Sequence, residues 1–144
     1  SITPYSVNSM STKGLNQHYH RLGELNRFGK DLVRRSGAHC ELCSANDVSL
    51  SIYEVPPVPK EPEYDVCIFI CETCHQQILR PGSLDTHHWR CLTKSVWSSV
   101  PAVQVISVRL LKTLASSNSW ATELLDQVYL EPDIAEWIEK HPAV

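Results

Sequence analysis

Two short cysteine pairs constrain this chain more than anything else in it. Cys40-Glu41-Leu42-Cys43 is followed, after twenty-seven residues, by Cys71-Glu72-Thr73-Cys74-His75. A C-x-x-C turn aims two sulfurs at one point, and two such turns complete a tetrahedron. The pattern predicts a four-thiolate site, Cys40, Cys43, Cys71 and Cys74, holding structural Zn²⁺, an ion with no d-electron geometry of its own. Buried thiols or disulfides are the competing explanation. They weigh less, because paired spacing of this kind is hard to obtain by accident.

The rest of the composition sets limits. At 144 residues and 42% hydrophobic content the chain can bury a core of its own, so metal need not be the sole stabiliser. No segment approaches the roughly 20 apolar residues of a membrane span, and C-x-x-C pairs argue for a reducing compartment, so the cytoplasm is expected. A net charge of −3 is not that of a basic nucleic-acid-binding protein. Basic residues do cluster at Arg21, Arg27, Lys30, Arg34 and Arg35. Nucleic-acid contact through an Arg21–Arg35 helix is therefore one partner expectation, a protein partner is the other, and a solvated helix face is the commoner explanation of such a cluster.

Residues 1–13, rich in Ser, Thr and Asn with Pro4, read as a flexible tail. From Leu15 to about Arg35 apolar residues recur every three or four positions, which predicts an amphipathic helix stopped by Gly37 and weakened at Gly23 and Gly29. Alternation from Val48 to Val55 predicts a strand. Pro56, Pro57, Pro59 and Pro62 end it, and Tyr64–Ile70 predicts a second strand delivering Cys71, with Cys67 as a buried thiol rather than a ligand. His75–Leu79 predicts a short helix broken by Pro81-Gly82. Helices are further expected from Pro101, from Asn118 or Ser119 through Tyr129, and over Pro132–Lys140. The organisation so predicted is a tail at 1–13, an N-terminal helix with the zinc-knuckle unit at 14–91, and a helical cap at 92–144 on the same core.

Knuckle, strand, proline-bounded loop, strand, second knuckle and helix is the order of a treble-clef (ββα-metal) zinc finger, and so an α+β fold. Over about 45 residues the skeleton resembles zinc-stapled HNH endonucleases. That resemblance implies a catalytic strand histidine followed by proline, and a late helix residue holding a second, phosphate-binding divalent cation. At those places this chain carries Tyr53, Glu54 and Ile78. Candidates for a divergent nuclease site, the alternative function, are Glu54, His75, His87 and His88. The Asp85–Cys91 patch has a structural reading too, with Trp89 and Leu92 anchored in the core and His88 packed beside the knuckle.

A closer resemblance spans residues 32–140. The runs Val33-Arg34-Arg35-Ser36-Gly37-Ala38-His39-Cys40-Glu41-Leu42-Cys43, Ser51-Ile52-Tyr53-Glu54-Val55-Pro56-Pro57, Cys71-Glu72-Thr73-Cys74, His88-Trp89-Arg90-Cys91-Leu92 and Trp97-Ser98-Ser99-Val100-Pro101-Ala102-Val103-Gln104-Val105 look like the N-terminal region of bacterial PhnA-like proteins. This resemblance implies a zinc-binding region and no particular reaction; with Tyr53, Glu54 and Ile78 in place of the nuclease residues, the expected function is a non-catalytic structural-zinc domain acting as an interaction module.

Overall fold

The computed structural model describes residues 12–144, and they form an α+β architecture of seven α-helices and one two-stranded antiparallel sheet. The N-terminal periodicity yields two helices, α1 (Thr12–Asn26) and α2 (Gly29–Ser36), rather than one. Backbone bonds Arg27 N–H to Glu24 O and Phe28 N–H to Leu25 O close a tight turn between them, next to Gly29. Thr12 and Lys13, expected in the tail at 1–13, belong to the first helix, and residues 1–11 lie outside the described residues. Gly37, at φ 65°, ends α2 in the left-handed region that glycine enters without steric cost.

The hairpin pairs β1 (Leu50–Glu54) with β2 (Cys67–Cys71), from Leu50 opposite Cys71 to Glu54 opposite Cys67. Both strands differ from the expected ranges. Val48 is half exposed and outside β1, and Tyr64–Val66 is a 3₁₀ turn, so β2 begins at Cys67 and includes the ligand-bearing Cys71. Cys67 is fully buried and gives its thiol to Glu63 O, as expected of a strand thiol.

From the second knuckle α3 (Glu72–Leu79) departs, with the Cys71 side chain as its N-cap. A 3₁₀ turn at His88–Cys91 leads into the single-turn helix α4 (Leu92–Ser95). Next come α5 (Pro101–Leu114), α6 (Ser119–Gln127) and α7 (Pro132–Lys140). Ten of the fourteen residues of α5 are buried, because α4, α6 and α7 all pack on it. Its core is continuous with the knuckles: Cys40, Cys71, Cys74 and Trp89 share one cluster with Val105, Ile106, Leu110 and Ile138. A smaller cluster of Leu25, Leu32 and Cys67 seats α1 and α2 on the hairpin.

Within α5 lies Arg109, fully buried. Its guanidinium donates to Pro56 O (2.6 Å), Trp137 O (2.7 Å) and Ile138 O (3.4 Å), tying the proline loop and the C-terminal end of α7 to α5. Periodicity alone makes this helix apolar nearly all round, and this cation is its exception.

Candidate metal centre

Each knuckle is closed by the same local bond. Cys43 N–H points at Cys40 Sγ and Cys74 N–H at Cys71 Sγ, each at 3.5 Å. The turns therefore face their sulfurs inward, and the β1–β2 register brings the second turn against the first. The result is four sulfurs all within 4.8 Å of one another, with Cys40–Cys74 at 3.7 Å and Cys43–Cys71 at 3.6 Å. A tetrahedral Zn–S₄ centre with bonds of ~2.3 Å has sulfur–sulfur edges of about 3.8 Å, so these residues fit such an ion. Cys40, Cys71 and Cys74 are buried, and Cys43 sits at the rim.

Four thiols this close cannot all ionise on their own. The hydrogen bond shared with Cys74 holds Cys40 down at about 4, and the same bond drives Cys74 far above the usual thiol range. Burial pushes Cys43 up to about 12, against the lowering effect of the Ala45 backbone N–H. A bound divalent cation resolves that conflict, because coordination deprotonates each thiol outright.

The neighbouring residues hold the cage from outside. Glu41, inside the first C-x-x-C, accepts Arg35 Nε (2.9 Å) and Nη2 (2.7 Å) and the Phe69 N–H (2.9 Å), while its own N–H bonds Phe69 O. Arg35 also donates to Cys67 O and lies 5.0 Å over the Tyr64 ring. Neither end of this pair is a solvated face: the side chains are 17% and 6% exposed. On the second knuckle, Gln77 Oε1 accepts both Asp85 N–H (2.7 Å) and Trp89 Nε1–H (3.1 Å), fastening the Asp85–Cys91 patch to α3. The sequence carried no signal for Glu41 or Gln77, whose partners are distant or lie beyond a loop.

Among the described residues, these cysteines are the one group of three or more His, Cys, Asp or Glu placed to hold an ion. Glu54 is gripped from α1 by Arg21, through Nε (2.9 Å) and Nη2 (2.6 Å), and Arg21 also reaches Pro59 O and Lys60 O. His75 stands edge-on to Tyr53, whose hydroxyl burial pushes above the usual tyrosine range. His87 is exposed. Asp85 Oδ1 takes the backbone N–H groups of His87 and His88, and the His88 ring alone reaches the cysteines, with Nε2 3.3 Å from Cys74 Sγ. Arg27 and Arg34, like Arg21 and Arg35, are in ion pairs, with Glu24 and Asp31.

What fold and site define is an α+β domain with a four-cysteine centre able to bind a metal ion, compatible with a structural zinc site. No family model, no curated protein and no solved structure matches the chain. No helix of the described residues is long and apolar enough to cross a membrane.

Proposed function

We propose that the chain is a non-catalytic structural-zinc domain of the PhnA-like type, serving in the cytoplasm as an interaction module for a protein or nucleic-acid partner. The observation that carries the proposal is the set of four sulfurs within 4.8 Å of one another, two of their separations at 3.6 and 3.7 Å, where both knuckles, the hairpin and α3 meet. Metal at that junction would be folding energy, since three of its ligands belong to the apolar core shared with α5.

The non-catalytic part is supported by the Arg21 clamp on Glu54 and by Tyr53 and Ile78 standing where the HNH resemblance requires a base and a ligand. Six unbridged cysteines suit a reducing compartment. For the interaction part, support comes from a polar groove of about 660 Å³ beside the first knuckle, lined by Ser36, His39, Lys94, Ser98 and Ser99 among others.

Metal analysis of the reductant-treated chain is expected to find one zinc per molecule. Its removal by a chelator should unfold the hairpin and knuckles, and Cys40→Ser or Cys74→Ser should leave insoluble chain, as a structural zinc is worth ~10 kcal/mol or more. Finding no zinc would sink the proposal. A nucleic-acid partner would show affinity falling steeply with salt, and binding indifferent to ionic strength would leave the protein partner.

A further inference from the structure

The four sulfurs are not equivalent in what surrounds them. Cys40 and Cys71, the first of each pair, receive the N–H of Cys43 and Cys74. Cys43 sits at the rim of the site, where the chain leaves the first knuckle in an open turn. Two residues after Cys74 comes the Gln76 N–H. There the chain continues as α3, whose i to i−4 ladder consumes that N–H. Cys74, buried like Cys40 and Cys71, therefore lacks the backbone donor that those two sulfurs have. The group that meets it is His88 Nε2, at 3.3 Å.

That imidazole is held in place independently of the metal. Its backbone N–H bonds Asp85 Oδ1, and its ring stands edge-on to the fully buried Trp89 at 4.8 Å and 82°. Gln77 in turn locks Trp89 and Asp85 to the helix that carries Cys74. Nε2 is not among the donor atoms that lie within 4.8 Å of one another, so it stands outside the coordination tetrahedron, next to one sulfur. A metal-bound thiolate only accepts, which puts the ring proton on Nε2.

We propose that His88 is a positioning residue of the metal centre: it donates Nε2–H to the Cys74 thiolate and so sets how firmly the ion is held. This rests on the four-cysteine zinc reading. An excess of two negative charges accompanies Zn²⁺ among four thiolates. The two backbone donors, to Cys40 and Cys71, relieve part of it, whereas the donor to Cys74 comes from a side chain and can be removed by mutation. Partners of this kind typically change metal affinity 10–100-fold.

The test compares zinc-loaded wild type with His88→Phe, which keeps a ring without a donor, and His88→Gln, which keeps a donor without the ring. Zinc transfer to excess chelator should be about 10–100-fold faster in His88→Phe, with partial recovery in His88→Gln. In wild-type chain carrying ¹¹³Cd and ¹⁵N-labelled histidine, the His88 Nε2–H should show scalar coupling to the metal through Cys74. A role in packing alone would not produce that coupling, and the measurement needs no variant to fold. Wild-type release rates in His88→Phe, or a His88 signal uncoupled from the metal, would overturn this assignment while leaving the zinc centre intact. A wild-type chain that binds no zinc would overturn both.

Discussion

Replacing Arg109 by methionine probes how the C-terminal helices are fastened to the finger. The guanidinium is fully buried with no carboxylate partner, and it is held by three carbonyls, two of them at 2.6 and 2.7 Å. Trp137 O and Ile138 O belong to the last turn of α7, where the helix dipole is negative, and Ile138 O also accepts the His141 N–H (3.2 Å). Each short charge-assisted bond is worth ~1.5–3 kcal/mol, and a cation at a partly buried helix terminus up to ~2. Against this stands desolvation of the ion, which costs several kcal/mol and lowers the arginine pKa by burial, with Nε left unpaired. Pro56 O keeps the indole N–H of Trp137 in the variant (3.1 Å), but Trp137 O loses its donor. The balance is a loss of about 3 kcal/mol for Arg109→Met. Arg109→Lys should lose less, since its ammonium retains the charge and some of the bonds. At ~2 kcal/mol per molar of urea, the midpoint should fall by about 1.5 M with the slope unchanged. The assay is urea unfolding of zinc-loaded chain followed by tryptophan fluorescence. A methionine variant as stable as wild type would refute the reasoning, showing that desolvation outweighs the bonds.

Glu41→Gln keeps an acceptor for the Phe69 N–H but strips Arg35 of its counter-charge, and should cost about 2–3 kcal/mol in the same assay. An unchanged midpoint would mean that the pair contributes nothing. Burial pushes the Cys67 thiol up to about 12. The folded chain holds that proton more tightly than the unfolded one, whose thiol titrates near 9. The resulting stabilisation is full below pH ~9 and is lost as pH rises toward 12. Native chain should therefore resist alkylation at Cys67 at pH 8, read by mass spectrometry. Modification at the rate of denatured chain would contradict this. Breaking the α1 latch with Arg21→Ala leaves Glu54, 13% exposed, without its partner, and should speed proteolysis within Thr12–Asn26 several-fold. Cleavage at the wild-type rate would show that Leu25 and its neighbours suffice to hold the helix.

The sequence by itself determined what depends on near neighbours. The cysteine spacing specifies two knuckles, because a C-x-x-C turn closes on its own N–H···S bond. Pro101 and Pro132 mark helix starts, because proline lacks the N–H that a first turn leaves unused. The alternation after Val48 finds β1, and the burial of Cys67 follows from its apolar flanks. Only the tertiary structure decided what depends on distant partners. Arg21 and Arg35 share one basic helical pattern with Arg34, yet two of them clamp Glu54 and Glu41 while Arg34 faces solvent. Arg109 is buried in an apolar helix because carbonyls 28 and 53 residues away converge on it. His87 and His88 are adjacent and chemically identical, and only the packing of Trp89 against α3 decides which one reaches Cys74. The charge and hydrogen-bonding capacity of a side chain are written in its identity. The partner that uses them is set by which surfaces the fold presses together.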